Sequence, residues 1–151
     1  MVNSRRCTLS VRTYDPASVV ITINGAPISG YSEGTFVEID RDEATWSKVV
    51  GADGLVTRGK TNNFSGTMTL TLKQSSPSND FLSGLLALDE ATNAGVVPIL
   101  VKDLSGNSTY FGGSCWVRQY ANSTFDKAIT DRTWTLDIDE LDLFVGSNAN
   151  S

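Results

Sequence analysis

The 151-residue chain contains no histidine, and that absence removes most of the chemistry its other polar residues could perform. Without an imidazole the commonest general base is gone, and Ser-His-Asp and Cys-His nucleophile systems cannot be built. Carboxylates are plentiful. Asp137 and Asp139 could be paired as the acid and base of a glycoside hydrolase. Two residues apart on one strand, however, they share a face, and the pattern reads as a solvated surface. Asp131, Asp137, Asp139, Glu140 and Asp142 offer oxygens for calcium, but no Asp-rich loop with a glycine at its sharp turn gathers them. Gly51-Ala52-Asp53-Gly54 lacks the Lys-Ser/Thr pair and the strand-to-helix setting of a phosphate loop. Trp46, Trp116 and Trp134 could form a sugar platform, yet the alternating strand contexts of Trp116 and Trp134 suit a core. That leaves Trp46 as the partner-contacting aromatic. No enzyme activity, cofactor or metal site is expected.

Cys7 lies near the N-terminus and Cys115 in an apolar strand, away from any metal-ligand spacing, so both read as free thiols. The alternative is a bridge within or between subunits, which distance and redox compartment decide. The net charge is −5 with no cluster of Lys or Arg, which disfavours tight binding to a phosphate backbone. No window approaches the roughly 20 apolar residues of a membrane span, and no signal-peptide core follows Met-Val-Asn-Ser-Arg-Arg, so residence in the cytoplasm of synthesis is expected.

The elements that must carry these residues are mostly strands. A chain of this length fits one domain, 1–151, able to bury roughly two-thirds of its unfolded surface. Val19–Ile23 is β-branched and ends at Asn24-Gly25, a strong hairpin signal. Thr35–Asp42 alternates, with Phe36, Glu38, Asp40 and Asp42 on one side and Val37, Ile39 and Arg41 on the other. Thr67–Leu72 alternates strictly: Met68, Leu70 and Leu72 face one way, Thr67, Thr69 and Thr71 the other. In the last strand Trp134, Leu136 and Ile138 oppose Thr133, Thr135, Asp137 and Asp139. Val96–Lys102 contains Pro98, which forces an edge or a bulge, and Thr109–Tyr120 follows it.

One helix is expected over 76–92, with Ser76 as N-cap, Pro77 at the first position, a stripe of Phe81, Leu82, Leu85, Leu86 and Leu88, and Gly95 as a stop. Between 42 and 65 the apolar content thins while Lys48, Arg58 and Lys60 bring positive charge, and Asp53-Gly54 supplies a tight turn. That stretch reads as a long exposed hairpin. Residues 1–14 read as an arm with a possible pairing strand at Thr8–Arg12, and 146–151 as a flexible tail. The fold class is mainly β: an antiparallel barrel or sandwich of about seven strands with one packed helix and a long hairpin loop.

Six segments, in order, resemble the tail tube protein of contractile-tailed phages, a family related to the tubes of R-type bacteriocins and type VI secretion. They are Tyr14-Asp15-Pro16, Ile23-Asn24-Gly25 with Ile28-Ser29-Gly30-Tyr31, Gly51–Gly54 with Arg58, Thr67–Gln74, Ser75–Asn79 and Trp134–Leu141. The resemblance implies homo-hexameric rings stacked into a hollow tube. It implies a sheath protein outside, baseplate and terminator proteins at the ends, and tape-measure protein and then DNA in the lumen without specific binding. The protein would belong to the virion tail, assembled in the host cytoplasm.

In that frame Glu38, Asp40, Thr67, Thr69, Thr71, Asp137 and Asp139 would line a wet, net-acidic lumen that repels DNA. Trp46, Lys48, Val49, Val50, Leu55, Arg58 and Lys60 would dock on the next ring. The tube of a bacteriocin or related contractile injection system is the nearest alternative, and a β-sandwich ligand-binding module a more distant one.

Overall fold

The alternation of Thr67–Leu72 governs the middle of the molecule. In the computed structural model, which describes residues 16–146, strand β6 (Gly66–Lys73) buries Gly66, Met68, Leu70 and Leu72 and leaves Thr67, Thr69, Thr71 and Lys73 half-exposed. Its two neighbours are antiparallel. β3 (Val37–Arg41) pairs Glu38 with Thr69 and Asp40 with Thr67, and β9 (Asp131–Ile138) pairs Asp137 with Thr67 and Trp134 with Leu70. Period-two patterning therefore propagates across three strands, with every inward position apolar or glycine except Arg41 and Arg132.

Around this centre run β1 (Val19–Ile23), β2 (Ala26–Pro27), β7 (Val97–Asp103), β8 (Thr109–Gln119) and β10 (Leu141–Phe144), in the order β2-β1-β7-β8-β9-β6-β3 with β10 also on β8. β9 and β10 share one ladder on β8. Ile138 opposes Cys115, Leu141 opposes Gly112, and between them the Asp139 N–H donates to the Ser114 carbonyl at 2.9 Å. They form one strand bent at Asp139-Glu140. The sheet curls into a barrel: Val19 of β1 and Val37 and Ile39 of β3 line one cavity of about 300 Å³ with Val101 and Tyr110. The chain between β2 and β3 closes one end, where the Lys73 N–H donates to the Gly30 carbonyl and Tyr31 bridges to Leu72.

The expected turns and bulge are present. Asn24 and Gly25 take positive φ (53° and 80°) in the β1–β2 hairpin. The β7–β8 register shifts between Val97 and Ile99, at Pro98. Among the described residues strands number ten rather than about seven, because β2, β4 (Trp46–Val50), β5 (Val56–Lys60) and β10 are short segments that sequence runs alone do not separate.

Helix α1 spans Ser78–Thr92 and buries Leu82, Leu85 and Leu86 against the sheet, while Leu88 is exposed and Phe81 lies at the margin. Its N-cap is Pro77. Ser76 instead supports the turn, accepting from the Ser78 N–H at 3.2 Å and donating to the Ser29 carbonyl. The helix stops at Asn93, in the left-handed region at φ 60°, rather than at Gly95. The Trp134 indole N–H donates to Asn79 Oδ1 at 3.0 Å, fastening the first helical turn to β9. The arm at 1–14, including Cys7 and the strand expected at Thr8–Arg12, and the tail beyond Gly146 lie outside the described residues.

Candidate functional site

Two surfaces concentrate the residues singled out by sequence, and β3 and β6 carry both. The first is the outer side of β3, β6 and β9. Register places Glu38 beside Thr69, Thr69 beside Thr135, Asp40 beside Thr67, Thr67 beside Asp137, and Thr71 beside Thr133. Six of the seven expected wall residues, Glu38, Asp40, Thr67, Thr69, Thr71 and Asp137, thus share one continuous face of hydroxyls and carboxylates. Asp139 stands apart, at the bend between β9 and β10.

Two features of this face were missed. Arg118 of β8 reaches across and grips Asp137 through Nε and NH2, with Nε 3.0 and 3.1 Å from the two carboxylate oxygens. Hydrogen bonding to Asp137, its charge, and more weakly that of Asp42 raise the guanidinium's pKa further above its ordinary value. Carboxylates still outnumber cations on the face, with Glu38, Asp40, Asp131 and Asp137 against Lys73 and Arg118. Trp116, expected in the core, is half-buried and lies opposite Asp137 on this outer side. Its neighbours Cys115 and Val117 are the buried pair, so alternation carried that information. The pairing of Arg118 had no such signal, because the β8–β9 register shifts between Val117 and Gln119.

The second surface is the hairpin. β4 and β5 form a two-stranded sheet of their own, and every residue in both strands is exposed. Its root is tied by Asp42, whose carboxylate accepts from the Thr67 hydroxyl at 2.8 Å and the Ser65 hydroxyl at 2.9 Å. Arg41 donates twice to the Leu141 carbonyl and lies 5.0 Å from the centroid of Phe64, locking the root to the start of β10. At the tip, Gly54 has φ 85° and donates to the Gly51 carbonyl, and the Leu55 N–H donates to Asp53 Oδ1. Five strand residues at about 3.3 Å each carry the tip roughly 15–20 Å beyond the root.

The docking residues expected from sequence divide between the hairpin's two faces. Trp46 opposes Lys60, Lys48 opposes Arg58 and Val50 opposes Val56, so one face holds all three cations, the indole and two valines. The other holds Ser47 opposite Gly59 and Val49 opposite Thr57, with Leu55 at the turn. Directly opposed Lys48 and Arg58 repel, a cost that a stable free hairpin has no reason to carry. A lone two-stranded hairpin is marginal in water in any case.

Cys115 is a free, fully buried thiol whose pKa burial pushes up to about 12. Such a thiol packs as a small apolar side chain and is inert. No group of three or more metal-ligating side chains occurs among the described residues, and no described helix is long and apolar enough to cross a membrane.

A curled antiparallel barrel with one helix and a projecting hairpin is a tail-tube-like fold, and solved structures share the architecture. A sheath/tube terminator of the extracellular contractile injection system PVC superposes with a TM-score of 0.63 at 12% identity, covering 88% of this chain and 97% of that one. The PVC sheath-tube complex gives 0.63 at 14% identity, covering 87% and 91%. In sequence, a model of the family described as Bacteriophage PhiTE tail tube protein matches residues 13–146. The "Structural protein ORF10" of Pseudomonas phage KPP10 is 33% identical over 144 residues, spanning 90% of this chain and 83% of that protein. The chain belongs to this phage tail tube family, and its role is structural.

Proposed function

We propose that the protein forms hexameric rings that stack into the inner tube of a contractile phage tail, with the hairpin as the element that joins one copy to the next. The observation that carries this reading is the hairpin itself: ten strand residues, all exposed, with an aromatic, valines and directly opposed like charges on one face. Apolar side chains on a stalk gain nothing from water, and opposed cations are relieved by carboxylates from elsewhere. A contact between the hairpin and a different patch on another copy is heterologous and propagates, as a tube requires.

The face of Glu38, Asp40, Thr67, Thr69, Thr71 and Asp137 then turns to the lumen, with Asp139 at its border. A net-acidic, hydroxyl-rich wall makes no phosphate contacts and lets DNA pass with little friction. Sheath protein surrounds the tube and terminator and baseplate proteins close its ends, in the virion tail; the terminator and sheath-tube folds found among the structural neighbours support that arrangement. The test is deletion of Val50–Val56. The shortened protein is expected to fold as a monomer and to form no tubes, and tubes of normal length would overturn the hairpin's role.

A further inference from the structure

Outside the wall face, the barrel carries one surface whose chemistry mirrors the hairpin row for row. On β7 and β8 the outward side chains Leu100 and Phe111 oppose each other, and both are 40% exposed. With Thr22, Gly25 and Pro98 they line an apolar depression of about 260 Å³. On the far side of Phe111 lies a second depression of about 230 Å³, lined by Gly113, Ser114, Asp139, Glu140 and Asp142. Phe111 is the wall between the two. Three carboxylates and no cation line the second compartment, and a Cβ on Gly113 would meet nothing within 4 Å, so its floor is open.

The cationic hairpin face presents the same alternation. Val50 and Val56 form an apolar row at the tip, Lys48 and Arg58 a cationic row behind it, and Trp46 and Lys60 a mixed row behind that. Successive rows stand about 7 Å apart, two residues along a strand. The hairpin thus offers three cations and an apolar tip row, and the barrel surface three carboxylates and an apolar compartment.

Resting on the reading of the hairpin as the joining element, we propose that the acceptor for its cationic face is this two-compartment surface on a second copy of the chain. Val50 and Val56 enter the Leu100–Phe111 depression, and Lys48, Arg58 and Lys60 meet Asp139, Glu140 and Asp142. The bend at Asp139-Glu140 thereby gains a purpose: it gathers two carboxylates with Asp142 beside Phe111. The hairpin cannot be satisfied by its own barrel, since all its strand residues stand exposed there.

Charge exchange tests the pairing. One variant carries Asp139→Lys, Glu140→Lys and Asp142→Lys; the other carries Lys48→Glu, Arg58→Glu and Lys60→Glu. Each is checked for a native circular-dichroism spectrum, and the neutral set Asp139→Asn, Glu140→Gln and Asp142→Asn serves if the lysines prevent folding. Each variant alone is expected to need at least about tenfold more protein than wild type to form sedimenting assemblies. An equimolar mixture, in which every hairpin meets an oppositely charged acceptor, is expected to assemble within about twofold of wild type. Normal assembly of the acceptor variant, with the hairpin variant defective, overturns the acceptor and leaves the hairpin's role standing. Normal assembly of the hairpin variant overturns both, and two defective variants whose mixture is not rescued overturn the pairing.

Discussion

Arg58 holds its guanidinium 4.0 Å from the centroid of the Trp46 indole, across the two strands of a hairpin whose every strand residue is exposed. The contact flattens the two largest side chains of the cationic face against one another, presenting a preformed surface. Cation–π attraction at an exposed site is worth about 0.5–1 kcal/mol, so its value lies in fixing shape before docking rather than in stabilising the barrel.

Trp46→Ala is therefore expected to leave the midpoint of urea unfolding nearly unchanged while weakening assembly strongly. Sedimentation across a protein concentration series alongside a urea titration separates the two effects. A loss of folding stability matching the loss of assembly would show that Trp46 acts within the monomer.

Arg118→Ala frees Asp137 of its ion pair on a surface where water screens both partners. A cost below about 1 kcal/mol is expected in urea unfolding, together with a more negative wall face. Salt should reduce even that small difference. A loss of several kcal/mol would mean that Arg118 has a structural role beyond Asp137.

Gly66 is the point where the hairpin root meets the barrel. A Cβ there would lie 2.5 Å from Leu141 Cδ2 and 2.8 Å from the Asp40 carbonyl. Gly66→Ala is expected to cost about 1–3 kcal/mol by overpacking. Increased hydrogen exchange should appear first at Asp42, whose N–H donates to the Ser65 carbonyl, and at Leu141, whose N–H donates to Phe64. Unchanged stability and exchange would show that the root can open without cost.

The thiol of Cys115 gives a prediction in pH. Burial raises its pKa from 9.0 to about 12, so the folded protein keeps a proton that the unfolded chain sheds. The native state then binds more protons between these values, and stability falls as pH rises from about 9 toward 12. Comparing wild type with Cys115→Ala across that range isolates the thiol from other groups: the stability gap should shift against the wild type as pH rises. In the folded protein at about pH 8, iodoacetamide should leave Cys115 unmodified, as peptide mapping would show.

The strands of the hydroxyl and carboxylate face were legible because Thr67, Thr69 and Thr71 alternate without exception and burial on one face enforces register. The hairpin was legible as well, from Asp53-Gly54 and from cations concentrated in an acidic chain. Less legible was anything set by where strands bend or slip. Asp139 continues the alternation of Asp137 in sequence, yet it falls past the end of β9, at the bend before β10. Arg118 finds Asp137 through a register shift that no local pattern encodes. The split of the hairpin residues into two faces follows from the Lys48–Arg58 register, which turn length fixes and composition does not. The acceptor surface joins Leu100, Phe111 and Asp142, brought together only by the strand order.

Electron cryomicroscopy of the assembled protein is the most direct test. The account predicts a hollow tube of stacked six-fold rings, with Glu38, Asp40, Thr67, Thr69, Thr71 and Asp137 facing the channel and residues 46–60 of each copy seated on another copy. A tube whose channel is lined by a different face, or one in which residues 46–60 touch no neighbour, would contradict it.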